Sequence, residues 1–439
     1  YSMDRKTKSK LDGLVRSHKL GRAVKAAKRM REQERDAGFT ERTVGEVRAL
    51  VNAKYNPDVQ EGLVPDWTTR PSILPEATQV DWHRRFDECR SGGETSEEAR
   101  NTVESEQREY GTESVEVNGE QVSAALRSLR LDAASGPSGE HNKLLRHCYE
   151  GSEDLEKQLL PFIQGMIAWR VGTLTRELTL AGRIAWWEKE GGDDVRAVSI
   201  AACTHRLIER TILLAVREDA AEILAPVQIG VGLSCGVQIM GKLVGHIFGE
   251  GGEGSESPWE TTHTEVASWD GRNAFNSMNH GAVLKAICKH MPKLLPWYIF
   301  THSGEGARQF DNKGVEYARR KCMAQGSPLA PLFWALGALE PFEKVTRRYA
   351  ERNVHGVGGI ACIDDFITFG DLEFTLSDEN MQQMIDDFNE IGYELNPHKS
   401  VVLTHSKVGG ARWNRLKEQA SKWEVRLEST GITTVGTPV

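Results

Sequence analysis

The chain has 439 residues, 39% hydrophobic and 27% charged, a globular composition with material for two to four packed lobes, which excludes disordered, collagen-like and membrane-embedded classes. No apolar run reaches the roughly 18 to 20 residues of a spanning helix, and the opening YSMDRKTKSK lacks a signal-peptide core, so a soluble, intracellular chain is expected. The formal net charge of −8 argues against a nucleic-acid partner, for which a basic balance is usual.

That total hides a distribution. Residues 1–35 hold 12 Lys or Arg against 4 Asp or Glu in a stretch of helix formers, a basic helical arm that is either a solvated face or a phosphate-contacting surface. It belongs to a helical N-terminal extension over residues 1–86. Residues 87–120 hold 11 acidic residues against 3 basic ones and little to bury, so they are expected to be an acidic linker or surface loop. The spacing predicts one helix over 204–224, ending before Pro226, and GEGGEGSESP at 249–258 reads as an exposed loop. Residues 265–270 read as a strand, 280–290 and 329–350 as helices, and 360–371 as a hairpin. Helices and strands thus interleave, as in a sheet covered by helices, α+β or α/β. Seven cysteines without a CxxC pair indicate free thiols rather than a disulfide framework or a zinc site.

The chemistry-bearing residues are carboxylates. In IACIDDFITFGD (360–371), Asp364 and Asp365 sit at the tip of the hairpin, where a plain turn would also favour Asp. Asp270 follows the strand EVASW and opens a turn, where it could act as a helix cap. Between them, Gln325, Gly326, Ser327 and Pro328 form a turn that feeds a long apolar helix.

This order resembles the palm of a reverse transcriptase. Asp270 with Ala274 and Phe275 resembles the first catalytic motif of that family, QGSPLAPLFW resembles QGxPLxPLLF, and Cys362-Ile363-Asp364-Asp365 resembles YxDD. IGYELNPHKS is similar to a Gly-x-x-x-Asn-x-x-Lys motif, and GITTVGTPV, with Val435 and Gly436, to the start of a primer-grip hairpin. Upstream, AASGPSG resembles the fingers segment of non-LTR retrotransposon polymerases, GRIAWWEKEGGDDVRAVSI their following strand pair, and APVQIGVGLSCGVQIM their Gln-x-Gly segment.

The resemblance implies an α+β right-hand fold, with fingers and part of the palm in residues 121–265 and the palm with its antiparallel sheet in 266–439. It implies an RNA-directed DNA polymerase of a retroelement, which extends a primer 3′ hydroxyl with dNTPs on an RNA template. The primer would be DNA or RNA. Asp270, Asp364 and Asp365 would hold two Mg²⁺ ions, with Mn²⁺ as a substitute, since hard cations favour carboxylate oxygens. Lys189 and Arg196 would contact the triphosphate, Phe275 would exclude a 2′ hydroxyl, Gln325 and Gly326 would line the nucleotide pocket, and Lys399 would assist near the leaving phosphate.

Three departures stand out: Cys362 in place of Tyr, Ala197 after Arg196 in place of Pro, and an end at Val439 where the family continues into a helical thumb. With Tyr1 at the start, a fragment of a larger polypeptide with further domains is expected, nuclear if the retroelement is eukaryotic. Two alternatives remain: a decayed or domesticated reverse-transcriptase-like RNA-binding protein, and an RNA-dependent RNA polymerase.

Overall fold

The computed structural model describes residues 81–109, 113–188, 195–249, 265–302, 308–311, 316–318, 323–352, 356–431, 433–434 and 437–438. The basic arm, all but the first residue of the 249–258 stretch, and the positions Lys189, Val435 and Gly436 lie outside them.

The architecture is α+β. Among the described residues six helices come first: α1 (Trp82–Ser91), α2 (Ser96–Glu109), α3 (Gly119–Ser128), α4 (Asn142–Glu150), α5 (Glu153–Ile167) and α6 (Thr173–Leu180). Strands β1 (Gly182–Glu188) and β2 (Val195–Ala201) follow, then helices α7 (Cys203–Ala215), α8 (Arg217–Leu224) and α9 (Gly236–Gly249). Next come β3 (Glu265–Trp269), β4 (Gly271–Arg272), α10 (Ala274–Ser277), α11 (His280–His290), α12 (Leu295–His302), β5 (Arg308–Phe310), β6 (Glu316–Ala318) and α13 (Ala330–Ala350). The chain continues through β7 (Gly359–Cys362), β8 (Asp365–Gly370), α14 (Leu372–Thr375), α15 (Asp378–Asn389), β9 (Glu394–Leu395), β10 (Val401–Leu403), α16 (Ala411–Lys422) and β11 (Arg426–Glu428). By their contacts, residues 185–197 group separately from the larger unit that holds residues 198–439; within that small group Ala197 is fully buried and Arg196 exposed.

The central sheet has the order β11-β10-β3-β8-β7, antiparallel except for the β10–β11 pair. Side chains alternate across it as a period of two requires. Ala267, Trp269, Ala361, Phe366 and Val402 enter one apolar cluster, and Val266, Ile360, Cys362, Ile367, Phe369, Val401 and Leu403 enter a second. Helix α13 covers the first cluster, with Phe342 stacked on Phe366 at 4.3 Å between ring centroids. Its apolar residues repeat at helical spacing, and Pro331 in the first turn removes an N–H that has no intrahelical acceptor there. Met240, Val244 and Ile247 of α9 cover the second cluster. Among the described residues no helix is long and apolar enough to cross a membrane.

Two expectations need correction. The acidic stretch 87–120 is not a linker or loop along its length: residues 96–109 are α2, which buries Ala99, Val103 and Gln107 along one face. Thr95 and Glu98 form a reciprocal cap at its start, with each backbone N–H donated to the other side chain. Two of its glutamates are paired with distant arginines, Arg85 with Glu106 at 2.6 Å and Arg170 with Glu104 at 2.8 Å. The single helix expected over 204–224 is two, because Val216 leaves helical geometry at φ −102° and ψ 9° while its side chain stays fully buried. The helices at 280–290 and 329–350 and the hairpin at 360–371 stand where the pattern places them, within one residue. None of the six described cysteines is in a disulfide.

Candidate active site

The carboxylates meet because of strand register. In the β3–β8 pair Trp269 faces Phe366, so Asp270, one residue on, emerges beside Asp365, one residue back. In the β7–β8 hairpin Cys362 pairs with Asp365, which leaves Ile363 and Asp364 as a two-residue turn. That turn is strained: Ile363 has φ +60°, and a β-branched residue in the left-handed region costs of order 1 to 3 kcal/mol.

Asp270 is fixed at three points. Its N–H donates to Ser400 Oγ at 3.2 Å, its carbonyl accepts the Asn396 N–H at 2.8 Å, and its Oδ2 accepts Asn396 Nδ2 at 2.9 Å. Tyr393, 1% exposed, donates its hydroxyl to the Asp364 carbonyl at 3.1 Å. Its ring uses the space left by Gly271, where an added Cβ would stand 2.4 Å from Tyr393 Cε2. Asn396, Ser400 and Tyr393 therefore shape the site although sequence reasoning did not assign them to it. For Asn396 and Tyr393 the signal was present in IGYELNPHKS.

The electrostatics follow from this crowding. Burial, then the charges of Asp364 and Asp270, raises the Asp365 pKa to about 6. The Cys362 thiol is pushed up to about 11 by burial and by Asp365 and Asp364, so it is a protonated, inert side chain. The Tyr393 hydroxyl is raised well above its ordinary value by burial and then by all three aspartates. Among the described residues no group of three or more His, Cys, Asp or Glu side chains stands ready to hold a metal ion. The donor chemistry nonetheless fits a hard divalent cation: three carboxylates share one field, and ionisation of Asp365 is opposed by burial and then by the charges of Asp364 and Asp270.

The remaining expected positions divide. Phe275, half-buried on α10 just beyond Asp270, lies 6.2 Å from the Trp334 ring, and its carbonyl accepts the Met323 N–H at 2.9 Å. The Gln325 carbonyl accepts the Ser199 N–H at 2.9 Å, and Gly326, at φ +111°, passes so close to Ser199 that a Cβ would stand 2.5 Å from its carbonyl oxygen. Ser327 donates to the buried Glu209 at 2.6 Å and caps α13 by accepting the Ala330 N–H. Phe275 is thus tied to the segment that leads into the 325–327 turn, and that turn is braced on Ser199 and Glu209. Lys399 is exposed in the turn Pro397–Lys399, whose backbone follows directly on Asn396. Arg196 belongs to the separately grouped residues 185–197, and Lys189, Val435 and Gly436 lie outside the described residues.

No curated protein matches the chain. A model of one family does, over residues 188–434, more than half of the chain and the whole region from the aspartates to the Asn396 turn. Carboxylates at one sheet end, a Gln-Gly turn before a buried helix and a strained Asp-Asp hairpin all fall within that match, and the chain belongs to the reverse transcriptase (RNA-dependent DNA polymerase) family.

Proposed function

We propose that this chain is the RNA-directed DNA polymerase domain of a retroelement, which extends a primer 3′ hydroxyl with dNTPs on an RNA template. The observation that carries the reading is the convergence of Asp270 and Asp365 by strand register, with Asp364 on the adjoining turn. Asp270, Asp364 and Asp365 would hold two Mg²⁺ ions, which supply charge stabilisation at the attacking, transferring and leaving oxygens. In the right-hand description the five-stranded sheet is the palm and the segments before it contribute the fingers.

The chain's own residues bind and orient. Asn396 holds the Asp270 carboxylate from one side, which leaves its other oxygen for the reaction centre. Gln325 and Gly326 present a turn, braced on Ser199, to the nucleotide. The Phe275 ring, stacked at 6.2 Å on Trp334, would exclude a ribose 2′ hydroxyl. The exposed Lys399 would supply a cation and a proton to the leaving phosphate. No covalent intermediate is needed, since positioning and electrostatics supply the rate.

Primer extension on an RNA template with Mg²⁺ tests this reading. Product with dNTPs and little with NTPs is expected, and Phe275→Ala should narrow that preference about 10- to 100-fold. Tight RNA binding with no product under any divalent metal would sink the reading.

A further inference from the structure

The segment before α9 holds a glutamine that the polymerase chemistry does not use. Residues 227–229 run beside β7: Ile229 N–H donates to the Ala361 carbonyl at 2.8 Å, and Ala361 N–H to the Val227 carbonyl at 2.6 Å. From this edge Gln228, 1% exposed, reaches the hairpin turn. Its Nε2 donates to the Ile363 carbonyl at 2.9 Å, and its Oε1 accepts the Ile363 N–H at 2.7 Å and the Gly230 N–H at 3.0 Å. One carboxamide therefore engages both polar backbone groups of Ile363, the residue at φ +60°. Gly230 permits the approach, since a Cβ there would stand 2.6 Å from Ile363 N and 3.0 Å from the Cys362 carbonyl carbon.

This clamp sits where the strain is. Isoleucine resists the left-handed region, and a turn released from it would swing the Asp364 peptide away from Asp270. Two hydrogen bonds from a buried, otherwise committed side chain hold the unfavourable conformer, as strained functional residues require of their surroundings. The contact spans 135 positions of chain and grips the turn that carries the acids.

We propose that Gln228 is a positioning residue for polymerisation: it holds the Ile363 peptide in its left-handed conformation and so aims Asp364 and Asp365 at the reaction centre. The proposal rests on the polymerase reading for its catalytic half; its structural half stands alone.

The test uses the full chain with Gln228→Met, Gly230→Ala and the double variant Gln228→Met, Ile363→Gly. Hydrogen exchange, read by mass spectrometry on a peptide spanning the β7–β8 hairpin without metal or nucleic acid, should accelerate about 10-fold in Gln228→Met while α13 is unchanged. In primer extension kcat should fall about 100-fold, the effect of misplacing reacting groups by about 1 Å, with the KM for dNTP held within about twofold. Ile363→Gly should return part of the lost kcat, because glycine adopts a positive φ without help. Gly230→Ala keeps the carboxamide but wedges the turn, and should show the same signature if Gln228→Met does not fold. Unchanged hairpin exchange, a loss confined to KM, or no recovery with glycine at position 363 would overturn the proposal. If the wild-type chain extends no primer, the polymerase reading falls, and the exchange measurement still decides whether Gln228 holds the turn.

Discussion

Strand β3 begins on one carboxylate and is followed at once by another, and its two ends are built in opposite ways. Glu265 at the start is 1% exposed and fully compensated: Arg412 donates to its two oxygens at 2.6 and 2.7 Å, the Leu372 N–H donates at 3.1 Å, and the Thr404 hydroxyl donates as well. Arg412 is itself shared with Asp371 at 2.8 Å, and its pKa is raised by the Glu265 hydrogen bonds. Asp270, just past the other end, is half-buried, takes one side-chain amide from Asn396, and shares its surroundings with two more carboxylates. A buried charge with every lone pair answered ties elements together. Like charges set close together keep electrostatic capacity for something that binds. The first arrangement ties the fold together and the second is the proposed site, although the residue chemistry is nearly the same.

The largest break in this comparison is at the compensated end. Arg412→Ala leaves Glu265 charged and buried, and should cost about 3 to 5 kcal/mol in a urea or thermal melt, while Arg412→Met with Glu265→Leu should recover most of that. A cost under about 1 kcal/mol would show that the network is ornamental to the fold. At the other end the signs should reverse. Asp364→Asn should remove about 10²- to 10³-fold or more of extension rate and leave the melting temperature unchanged or higher, since it relieves repulsion among the three acids. A marked loss of stability instead would make Asp364 a structural residue.

A titration sharpens the contrast further. The folded pKa of Asp365 is raised to about 6 from an ordinary 3.8, so the native state holds this proton more tightly than the unfolded chain does. Its contribution to stability is therefore present below about pH 4 and lost as pH rises through about 6. A cation that binds the ionised native site reverses that loss, so Mg²⁺ should raise the melting temperature at pH 7.5 and have little effect at pH 5. An equal Mg²⁺ shift at both values would separate the ion from these carboxylates. The smallest effect belongs to the acidic helix: Thr95→Ala should cost about 1 kcal/mol by removing one half of the reciprocal cap, whereas a true linker would lose nothing.

Much of this was legible in the chain. The helix at 330–350 carries its apolar face in its own spacing, with a proline where a first turn tolerates one, and the hairpin at 359–370 shows β-branched and aromatic residues around a short polar turn. The three aspartates could be named because the motifs around them are local. The acidic helix was not legible as a helix to anyone weighing charge alone. Its apolar stripe is two small residues and a glutamine, and the arginines paired with two of its glutamates, Arg85 and Arg170, lie on other elements. The cap TSEE was the one local signal.

What the sequence determined by itself was the set of elements and the identity of the acids, because periodicity, caps and turn residues act over a few positions. Tertiary structure alone decided which carboxylate is enclosed in a hydrogen-bond network and which is set beside other acids at the proposed site. Glu265 and Asp270 are separated by five positions, but the groups that answer one and not the other arrive from residues 371–412 and from register with β8. The same holds for Gln228, whose carboxamide meets the turn it clamps only after 135 residues of chain have been folded back. Compensation of charge and the holding of strain depend on distances in space, and no local pattern encodes them.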